Sequence, residues 1–417
     1  MQPLHLDVDA ITATCLSLLG IALLANAGLL VLLAGLRRVF ASAPCLVQDP
    51  PTPRDADATS LTVVIPAFNE EDNIVRSLSS VLRSEPPTNH WRVIVVDDDS
   101  SDATAAIAES TAQAYATDCT AEVSVLAAGA RPQGERWVGK NWACSRAMEQ
   151  VTSAWVLFLD ADVSLAPSTL RRALHQAVHE QADLFSLAPR LVCSCLAEWM
   201  VQPIMASLLG LGFPIAAAND PASDIAFAAG PFMLFRTDSY AAIGGHRAMA
   251  SEVVEDLALA QRIKRSGYRL RYCLGLDAVD LQMYSDLASL WEGWSKNWFL
   301  GLERSVVKAL GAGGVVLLMF SGPWLITAAA LVLTALLVPV NQGAPGLLIA
   351  AIALGLTGVG LQLALRLWIR ARFSLPMQHW WLMGAGGLIV AAIAPVSVWR
   401  SLTGFGWTWK GRSLASR

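Results

Sequence analysis

Carboxylate and amide side chains follow three short apolar segments of the chain, and this arrangement predicts a ligand site. The segments and the polar residues after them are 63–66 with Asn69 and Glu70, 93–96 with Asp97, Asp98 and Asp99, and 155–159 with Asp160 and Asp162. Apolar runs that end in charge are typical of buried parallel strands. Because the carboxyl ends of such strands form the ligand-binding edge of an α/β sheet, we expect these side chains to meet there.

Asp160 and Asp162 form an Asp-x-Asp pair suited to a divalent cation. Side chains two residues apart on a strand share one side of it, so both carboxylates would reach the same ligand. A hard cation, Mn²⁺ or Mg²⁺, held by these carboxylates and by phosphate oxygens is the expected use. The alternative is a pair of solvated carboxylates in a turn.

Asp97, Asp98 and Asp99 repel one another and require partners if they are buried. One of them is suited to accept the imide N–H of a uracil ring, and another to cap the helix that starts near Asp102. Capping alone is the simpler alternative. Lys140 opens another predicted helix, where a phosphate is favoured, and a surface lysine is the alternative.

Glu255 and Asp256 precede a predicted helix and supply the candidate base. An acceptor hydroxyl that attacks a reactive carbon must lose its proton to a base. The carboxylates beside the cation are neutralised by it, so Asp256 is the candidate catalytic residue, with Glu255 in a supporting role. The alternative is that both carboxylates only stabilise the helix dipole.

Two further segments are candidates for the acceptor side of the site. Gly245 and His246 follow an apolar strand, and His246 either faces the acceptor or is a structural surface histidine. Residues 286–304 are amphipathic and rich in tryptophan, which favours membrane interfaces. There Lys296 is suited to offset the charge of a leaving diphosphate, and Trp298 belongs to a stretch that would cover the site; simple interfacial anchoring is the alternative.

The composition indicates a membrane protein. Of the 417 residues, 54% are hydrophobic and only 15% are charged, and the mean hydropathy is +0.46. Such a composition is too apolar for an ordinary soluble protein. The net charge of −4 does not indicate a nucleic-acid partner. Seven scattered cysteines without zinc-site spacing are interpreted as reduced.

The order of apolar and mixed segments divides the chain into six parts. The predicted parts are an N-terminal signal-anchor helix (1–38), a linker (39–60), a cytoplasmic catalytic domain (61–285), an amphipathic interfacial segment (286–308), C-terminal transmembrane or re-entrant helices (309–400) and a basic cytoplasmic tail (401–417). Arg37 and Arg38 follow the first span, so the positive-inside rule places the catalytic domain in the cytoplasm. We expect an integral protein of the inner (plasma) membrane.

Strand-like and helix-like segments alternate between residues 61 and 304, which predicts a mostly parallel sheet covered by helices. The predicted strands are 61–66, 91–97, 122–126, 155–160 and 184–188, and the predicted helices are 70–82, 102–116, 141–151 and 167–180. Asn69, Ser101 and Ser168 are the expected N-caps.

Three C-terminal segments, 314–340, 346–367 and 381–398, are candidate spans. If all three cross, the basic regions 366–372 and 400–417 lie on opposite sides, against the positive-inside rule. We therefore expect residues 381–398, with Gly386, Gly387 and Pro395, to be re-entrant or interfacial. The apolar segment 191–215 is interpreted as a buried core helix or as a helix at the membrane interface beside a lipid entrance. A true span is disfavoured, because it would move the later acidic motif to the wrong side of the membrane.

Five motifs occur in one order and resemble family-2 glycosyltransferases of the GT-A fold. They are VVIPAFNEED, VVDDDSSDAT, LDADV, GPFMLFR with GGH, and VVEDLALAQRIKRSG. The stretches WVGKNWA, WEGWSKN and WKGR, with the flanking spans, are similar to a membrane subgroup. It includes hopanoid-associated and carotenoid glycosyltransferases and, more distantly, ceramide glucosyltransferase.

The resemblance implies an α/β fold, a Rossmann-like, mostly parallel GT-A sheet for nucleotide-diphospho-sugars, with one N-terminal and two to three C-terminal transmembrane helices. It implies a nucleotide-sugar site made by Pro66, Asn69, Glu70, Asp98, Lys140 and Asp160. It further implies that Asp160 and Asp162 bind Mn²⁺ or Mg²⁺ and that Asp256 is the base of an inverting transfer. The Gln-x-x-Arg-Trp motif of processive members is not matched by WSKNW at 294–298, which favours a single transfer.

The expected function is an inverting, metal-dependent transfer of one sugar from a nucleotide-sugar, a UDP-sugar by preference, to a membrane lipid. Carotenoid, hopanoid, sphingolipid-like and glycerolipid acceptors all stay open. The alternatives are a polyprenyl-phosphate glycosyltransferase, whose anionic acceptor barely needs a base, and a non-catalytic membrane scaffold with a transferase-like domain.

Overall fold

A computed structural model describes residues 8–51, 59–337 and 345–413. The strands are β1 (Ser60–Ala67), β2 (His90–Asp97), β3 (Glu122–Ala127), β4 (Trp155–Leu159), β5 (Val163–Leu165), β6 (Leu184–Ala188), β7 (Arg190–Leu191), β8 (Phe232–Arg236), β9 (Leu270–Leu274), β10 (Val279–Leu281), β11 (Thr408–Trp409) and β12 (Arg412–Ser413). The helices are α1 (Val8–Ala41), α2 (Ile74–Leu82), α3 (Thr104–Ala114), α4 (Gly139–Met148), α5 (Thr169–His179), α6 (Leu196–Gly212), α7 (Ile215–Asn219), α8 (Thr237–Ala242), α9 (Gly245–Ala248), α10 (Glu255–Arg265), α11 (Leu287–Gly301), α12 (Val306–Val316), α13 (Gly322–Leu337), α14 (Pro345–Phe373) and α15 (Met383–Thr403).

A seven-stranded sheet in the order β3-β2-β1-β4-β8-β6-β9 carries the site. All neighbouring pairs are parallel except the two pairs made by β8, which runs antiparallel to β4 and β6. β1 and β4 are buried almost throughout because their side chains are covered on both faces. The predicted mostly parallel α/β sheet is confirmed, and the five predicted strands agree with the structure to within one residue at each end.

The helix after β1 begins later than the sequence predicts. α2 starts at Ile74 with Asn73 at the N-cap position, not at Glu70 after Asn69. Asn69 adopts φ 51°, and its Oδ1 accepts a hydrogen bond of 2.9 Å from the backbone N–H of Ser101. Asn69 therefore ties two loops together instead of capping a helix.

The other two predicted N-caps have different outcomes. α3 begins at Thr104, two residues later than predicted, and Ser101 does not cap it. Asp102 Oδ1 instead accepts from the backbone N–H of Thr104 at 3.0 Å. Ser168 does precede α5 as predicted, although its side chain makes no capping hydrogen bond.

Part of the predicted linker is attached to the catalytic domain. The backbone N–H of Leu46 donates to Leu274 O at 2.8 Å, which extends the edge of the sheet beyond β9. Val47 N donates to Gln176 Oε1 at 2.9 Å. The middle of the linker, residues 52–58, lies outside the described residues. The first span is thus joined to the sheet by an ordered segment.

Four helical segments are long and apolar enough to cross a membrane: Asp9–Ala41, Val306–Leu337, Pro345–Phe373 and Trp380–Thr403. One lies near the N-terminus and three follow the catalytic domain, which confirms the predicted arrangement. The second joins α12 to α13 through a π-helical turn at Leu317–Ser321.

α15 is one continuous helix that runs antiparallel to the first half of the α12–α13 segment. Gly384 lies against Trp324, Gly387 against Ser321, and Ala394 against Gly313. The helix is not interrupted at Gly386, at Gly387 or at Pro395.

The two basic C-terminal regions lie on the same side of the helical bundle. The end of α14 is held near the end of α1, because Arg372 Nη2 donates to Phe40 O at 3.3 Å. The chain after α15 reaches the catalytic domain, where Arg412 Nη2 donates to Asp98 O at 2.8 Å. The re-entrant or interfacial nature of residues 381–398 stays a prediction that agrees with this placement.

The apolar segment 191–215 forms α6 and the start of α7, between the catalytic domain and the apolar helices. Gly210 lies against Phe40 of α1, and Gly386 of α15 lies against the backbone carbonyl of Met200. Buried Glu198 accepts from the backbone N–H of Tyr284 at 3.0 Å. Leu196 and Leu209 are exposed on the outer face, which favours the interfacial interpretation of this helix over the buried core helix.

A methyl group added at Gly386 should loosen the contact between α6 and α15. The new Cβ would lie 1.9 Å from Met200 O, a backbone atom that cannot move aside without shifting α6. We expect Gly386→Ala to destabilise the protein by about 1–3 kcal/mol, seen as a lower thermal unfolding temperature in detergent. Gly360→Ala is the matched control, since nothing lies within 4 Å of its added Cβ. Equal temperatures for the two variants would contradict the packing of α6 on α15.

Candidate active site

A cavity of about 280 Å³ opens at the carboxyl ends of β1, β2 and β4. Its lining includes most of the side chains that the sequence selects: Pro66, Glu70, Asp98, Lys140, Asp160, Asp162, Glu255, Asp256 and Lys296. These residues come from segments separated by more than 200 positions. The parallel sheet therefore brings the predicted site residues together at the expected edge.

Asp160 and Asp162 lie in a turn and not on a strand. β4 ends at Leu159, and the backbone N–H of Val163 donates to Asp160 O at 3.2 Å. The prediction that strand alternation directs the two side chains to one side was therefore wrong, because the chain turns at Asp160. Both carboxylates nevertheless line the same cavity.

One carboxylate oxygen of Asp162 is unpaired among the described residues. Its Oδ1 is buried and has no hydrogen-bond partner within the described part of the chain. Burial, reinforced by the neighbouring charge of Asp160, raises the pKa of Asp162 well above its ordinary value. A cation placed beside this oxygen would offset both the burial of the carboxylate and its repulsion by Asp160.

Lys140 bridges two carboxylates at the start of α4. Its Nζ lies 2.7 Å from Asp160 Oδ1 and 2.6 Å from Glu255 Oε1. Burial lowers the pKa of Lys140, but these two carboxylates outweigh burial and hold it well above its ordinary value. The Lys140 ammonium is thus a fixed positive charge that joins the β4 turn to α10, and it is not a surface lysine.

Asp256 is fixed by backbone donors. Its Oδ2 accepts from Gly230 N at 3.1 Å, and its Oδ1 accepts from Leu257 N at 2.7 Å. Burial, and then the charge of Glu255, raise the pKa of Asp256 to about 6. A carboxylate with this pKa is ionised at neutral pH and is a better proton acceptor than an ordinary aspartate.

Buried Asn141 holds the segment that leads to Asp256. Its Nδ2 donates to Met249 O at 2.6 Å and to Glu252 O at 2.8 Å. α4, which carries Lys140, is thereby attached to the loop before α10. The Lys140 ion pairs and these hydrogen bonds both determine where α10 begins.

Asp98 is held by two arginines from distant parts of the chain. Arg131 Nη2 donates to both carboxylate oxygens at 2.9 and 2.6 Å, and Arg412 Nη1 pairs with Oδ2. Burial raises the pKa of Asp98, while the two guanidinium groups oppose that rise. Gly139 permits this packing, because a Cβ there would lie 2.5 Å from Asp98 Oδ2.

The C-terminal hairpin β11–β12 folds back onto the site. Glu292 of α11 accepts from the backbone N–H of Lys410 at 3.1 Å. The Lys410 ammonium lies 2.7 Å from Glu70 Oε1 and donates to Asn69 O at 2.7 Å. Residues 408–413 of the predicted cytoplasmic tail are therefore part of the wall of the site.

α11 covers the cavity from the side of the apolar helices. Gly293, Lys296 and Asn297 line the cavity, and Lys296 Nζ lies 4.1 Å from the centroid of the Trp409 ring. Burial lowers the pKa of Lys296, and no carboxylate of the described residues forms an ion pair with it. α11 is therefore a wall of the cavity, in agreement with the prediction that this tryptophan-rich segment covers the site.

His246 was predicted to face the acceptor or to lie at the surface, and both interpretations were wrong. His246 is 1% exposed, and its Nδ1 lies 2.7 Å from the Tyr240 hydroxyl. Burial lowers the pKa of His246 to about 3, so the ring is neutral. A Cβ on Gly245 would lie 2.3 Å from the Tyr240 ring, so Gly245 also packs in the core.

Trp298 and Asn69 do not line the cavity either. Trp298 is buried and donates from Nε1 to Ala309 O at 3.1 Å, so it joins α11 to α12. The backbone carbonyl of Asn69 accepts a hydrogen bond from Lys410, and its side chain accepts one from Ser101. Both residues support elements that form the site without touching its interior.

Several lining residues were not predicted from the sequence: Arg131, Tyr284, Asn297, Trp409 and Arg412 contact or line the site. The compact aromatic and basic tail was the available signal for Trp409 and Arg412. Arg131 lies in a loop of Gly, Pro and charged residues that has no strand or helix periodicity. The pairing of Arg131 with Asp98 is therefore seen only in the tertiary structure.

No group of three or more His, Cys, Asp or Glu side chains is arranged as a ready-made metal site among the described residues. A cation here would take two ligands at most from Asp160 and Asp162 and the rest from a bound phosphate or water. This donor set suits Mg²⁺ or Mn²⁺, which often keep oxygen ligands from substrate phosphates.

Comparison with known proteins agrees with this architecture. Residues 62–244 match the family profile described as glycosyl transferase family 2. The 4,4'-diaponeurosporenoate glycosyltransferases of Staphylococcus aureus strains MRSA252 and bovine RF122 / ET3-1 are each 27% identical over 264 residues, which is 63% of this chain and 66% of theirs. The match thus spans just under two thirds of these relatives.

A solved structure extends the likeness to the fold. The mannosyltransferase PcManGT from Pyrobaculum calidifontis, in complex with GDP-Man and Mn2+, superposes with a TM-score of 0.51 at 19% identity, over 90% of this chain and 98% of that one. The predicted resemblance to family-2 glycosyltransferases of the GT-A fold is confirmed.

The buried contact between Tyr240 and His246 should matter for stability. Tyr240→Phe leaves the His246 Nδ1 and the backbone N–H of His246 without their partner, at a cost of about 1–3 kcal/mol. The measurement is thermal unfolding of the purified protein at neutral pH, with Tyr115→Phe, at the partly exposed end of α3, as control. A loss of activity from Tyr240→Phe without any loss of stability would restore His246 as an acceptor residue.

Proposed function

We propose that this chain, whose residues 62–244 match the glycosyl transferase family 2 profile, is a membrane-bound inverting glycosyltransferase. It would move one sugar from a nucleotide-sugar, a UDP-sugar by preference, to a lipid. The observation that carries the proposal is the position of Asp256 in one cavity with Asp98, Asp160 and Asp162. A candidate base and a candidate diphosphate site thus share a space suited to a single displacement.

The nucleotide is assigned to the β1–β2 side of the cavity. Asp98 lies at the carboxyl end of β2 and is suited to accept the imide N–H of a uracil ring. Arg131 and Arg412 supply donors beside it, which are suited to carbonyl or phosphate oxygens. A nucleotide bound here would contact Asp98 beside the two arginines or would replace the contact between Asp98 and Arg412.

The residues at the β4 turn fit a divalent cation. The buried, unpaired Oδ1 of Asp162 is a carboxylate oxygen that requires a partner, and Asp160 lies beside it. A bound Mn²⁺ or Mg²⁺ would supply charge neutralisation to the diphosphate. The structure of PcManGT in complex with GDP-Man and Mn2+ supports this assignment by analogy.

The charged residues of the cavity have separate proposed roles in the transfer. Asp256 would accept the proton of the acceptor hydroxyl as that oxygen attacks C1 of the sugar, and the bond from C1 to the diphosphate oxygen breaks. Lys296, which has no ion pair among the described residues, is placed to stabilise the leaving diphosphate. Lys140 was predicted to do this, but its ammonium is already bound by Asp160 and Glu255. Its proposed role is to hold these carboxylates in place.

A lipid acceptor is supported by the surroundings of the cavity. α11 separates the cavity from the apolar helices, and Trp294 of α11 donates from Nε1 to Gln202 Oε1 of α6 at 3.0 Å. The exposed apolar face of α6 gives a lipid a route toward this wall. The carotenoid-type acceptor in the name of the S. aureus relatives agrees with a lipid, and the carotenoid, hopanoid, sphingolipid-like and glycerolipid classes stay open.

We place the catalytic domain in the cytoplasm and the chain in the inner (plasma) membrane. Arg37, Arg38 and Arg372 follow apolar helices on the side of the catalytic domain, as the positive-inside rule requires. The C-terminal tail, which contacts Asp98, lies on that same side. This placement requires that the chain between the end of α14 and the end of α15 enter and leave on one side, so the proposal includes the re-entrant interpretation of residues 381–398.

Asp256→Asn should abolish most of the transfer. Asparagine keeps the shape of the side chain but accepts no proton, so we expect the rate to fall by about 10²–10⁴-fold. The measurement is mass spectrometry of total lipids from expressing cells, where a lipid heavier by one sugar should disappear in the variant. A polyprenyl-phosphate sugar that persists in Asp256→Asn would instead favour the anionic-acceptor alternative.

The pH profile of the wild type provides the control for this role. Because the Asp256 pKa is raised to about 6, the protonated, inactive form becomes dominant as the pH falls through that value. kcat/KM should therefore decline below about pH 6, and the residual rate of Asp256→Asn should not show this decline. A wild-type profile that is flat from pH 7 to 5 would remove Asp256 as the base.

Asp162→Asn should weaken metal-dependent nucleotide binding. The variant removes one charge from the proposed cation site, and we expect roughly a tenfold or greater loss of UDP affinity in the presence of Mn²⁺. The measurement is calorimetry with and without EDTA, and the control is Asp118→Asn, at an exposed position. An unchanged Mn²⁺-dependent affinity would disprove the metal assignment while leaving the family and the fold intact.

A further inference from the structure

A second cavity, of about 510 Å³, lies away from the sheet edge, where α11 and α15 end. Arg304 and Phe299 line it from the end of α11, and Leu402 and Phe405 line it from the end of α15 and the loop that follows. Arg136 completes it from the catalytic domain. The cavity shares none of its lining residues with the candidate active site.

The charged groups and the unpaired polar groups of this second cavity can all donate hydrogen bonds. Arg136 and Arg304 are its charged lining residues, and no Asp or Glu lines it. Two buried donors, Ser401 Oγ and Trp407 Nε1, have no hydrogen-bond partner within the residues that the structure describes. Trp407 is only 7% exposed, so its N–H is costly to leave unpaired. Two cations and two unsatisfied donors around one space favour an anion with several acceptor oxygens.

The rim of the cavity is apolar and faces outward. Leu402 is 66% exposed and Phe405 is 71% exposed. The Trp399 ring lies 5.3 Å from the Phe405 ring, and exposed Val307 lies in the first turn of α12. These residues lie where two candidate membrane helices end on the side of the catalytic domain. Aromatic and aliphatic side chains beside arginines at this level are typical of the zone where headgroup phosphates meet acyl chains.

We propose that the second cavity binds the phosphate headgroup of an anionic membrane lipid. The arginines would contact the phosphate, Ser401 and Trp407 would donate to its oxygens, and the acyl chains would lie along Leu402 and Phe405. A water-soluble phosphate could satisfy the donors but would leave the apolar rim uncovered. The membrane lipid is therefore the source that fits both halves of the cavity.

The position of Trp407 connects this lipid to the candidate active site. Trp407 directly precedes the hairpin that places Lys410 against Glu70 and Arg412 against Asp98. A headgroup that fixes Trp407 would hold this hairpin in its seated position. This second effect rests on the proposed function, since it concerns the nucleotide site, whereas lipid binding itself does not.

Lipid binding is tested on the full-length chain in detergent by native mass spectrometry with added phosphatidylglycerol or phosphatidylcholine. The wild type should retain one phosphatidylglycerol in preference to phosphatidylcholine. The double variant Arg136→Gln/Arg304→Gln should weaken that binding roughly tenfold or more, because it removes the charge-assisted hydrogen bonds. Trp407→Phe keeps an aromatic ring but loses the N–H, so it should weaken binding to a smaller degree.

The matched control is Arg37→Gln/Arg38→Gln, which removes two exposed arginines at the end of α1, outside the cavity. This variant should bind phosphatidylglycerol as the wild type does. An equal loss in the control would show a general effect of surface charge and overturn the site. Equal retention of phosphatidylcholine by the wild type would also overturn it.

Two further measurements distinguish a lipid from a soluble phosphate, and lipid binding from the proposed transferase function. Sodium phosphate at millimolar concentration should not displace phosphatidylglycerol when ionic strength is matched with sodium chloride; displacement would assign the cavity to a soluble phosphate instead. Thermal unfolding of the same samples reports folding of the variants, and UDP binding is measured beside it. If the wild type binds the lipid but not UDP, the proposed function fails and the lipid site stands.

Discussion

The mutual repulsion of buried carboxylates is the constraint on which the rest of the structure depends. Glu70, Asp98, Asp160, Asp162, Glu255 and Asp256 line one small cavity. Carboxylates this close cannot all be ionised unless cations or donors lie among them. Lys140, placed between Asp160 and Glu255, meets this requirement within the domain, and the same ion pairs join the β4 turn to the start of α10.

Three further cations come from outside the catalytic domain. Lys296 belongs to α11, and Lys410 and Arg412 belong to the C-terminal hairpin. Both elements flank the apolar helices in sequence, so the helical bundle and the catalytic domain complete one site together. Glu292 of α11 also binds the hairpin backbone, which makes the two elements a single wall. A catalytic domain that ended at residue 285 would lack this wall and three of its positive charges.

Close backbone contacts allow the charged groups to approach one another. Gly139 admits the Asp98 carboxylate, and Gly230 admits Asp256, since a Cβ at either position would lie within 3 Å of a carboxylate oxygen. Asn141 then fixes the loop before α10 by hydrogen bonds to backbone carbonyls. These uncharged residues maintain the geometry of the proposed base together with the Lys140 ion pairs.

The sequence by itself determined the parallel sheet, the apolar helices and most of the acidic site, because burial periodicity and the carboxyl ends of strands are local properties. It could not determine that Asp160 ends its strand in a turn, that His246 packs in the core against Tyr240, or that Lys140 is bound on both sides. Nor could it pair Arg131 and Arg412 with Asp98 across 33 and 314 positions. Those outcomes depend on which distant side chains neutralise a buried charge, and only the tertiary structure decides that.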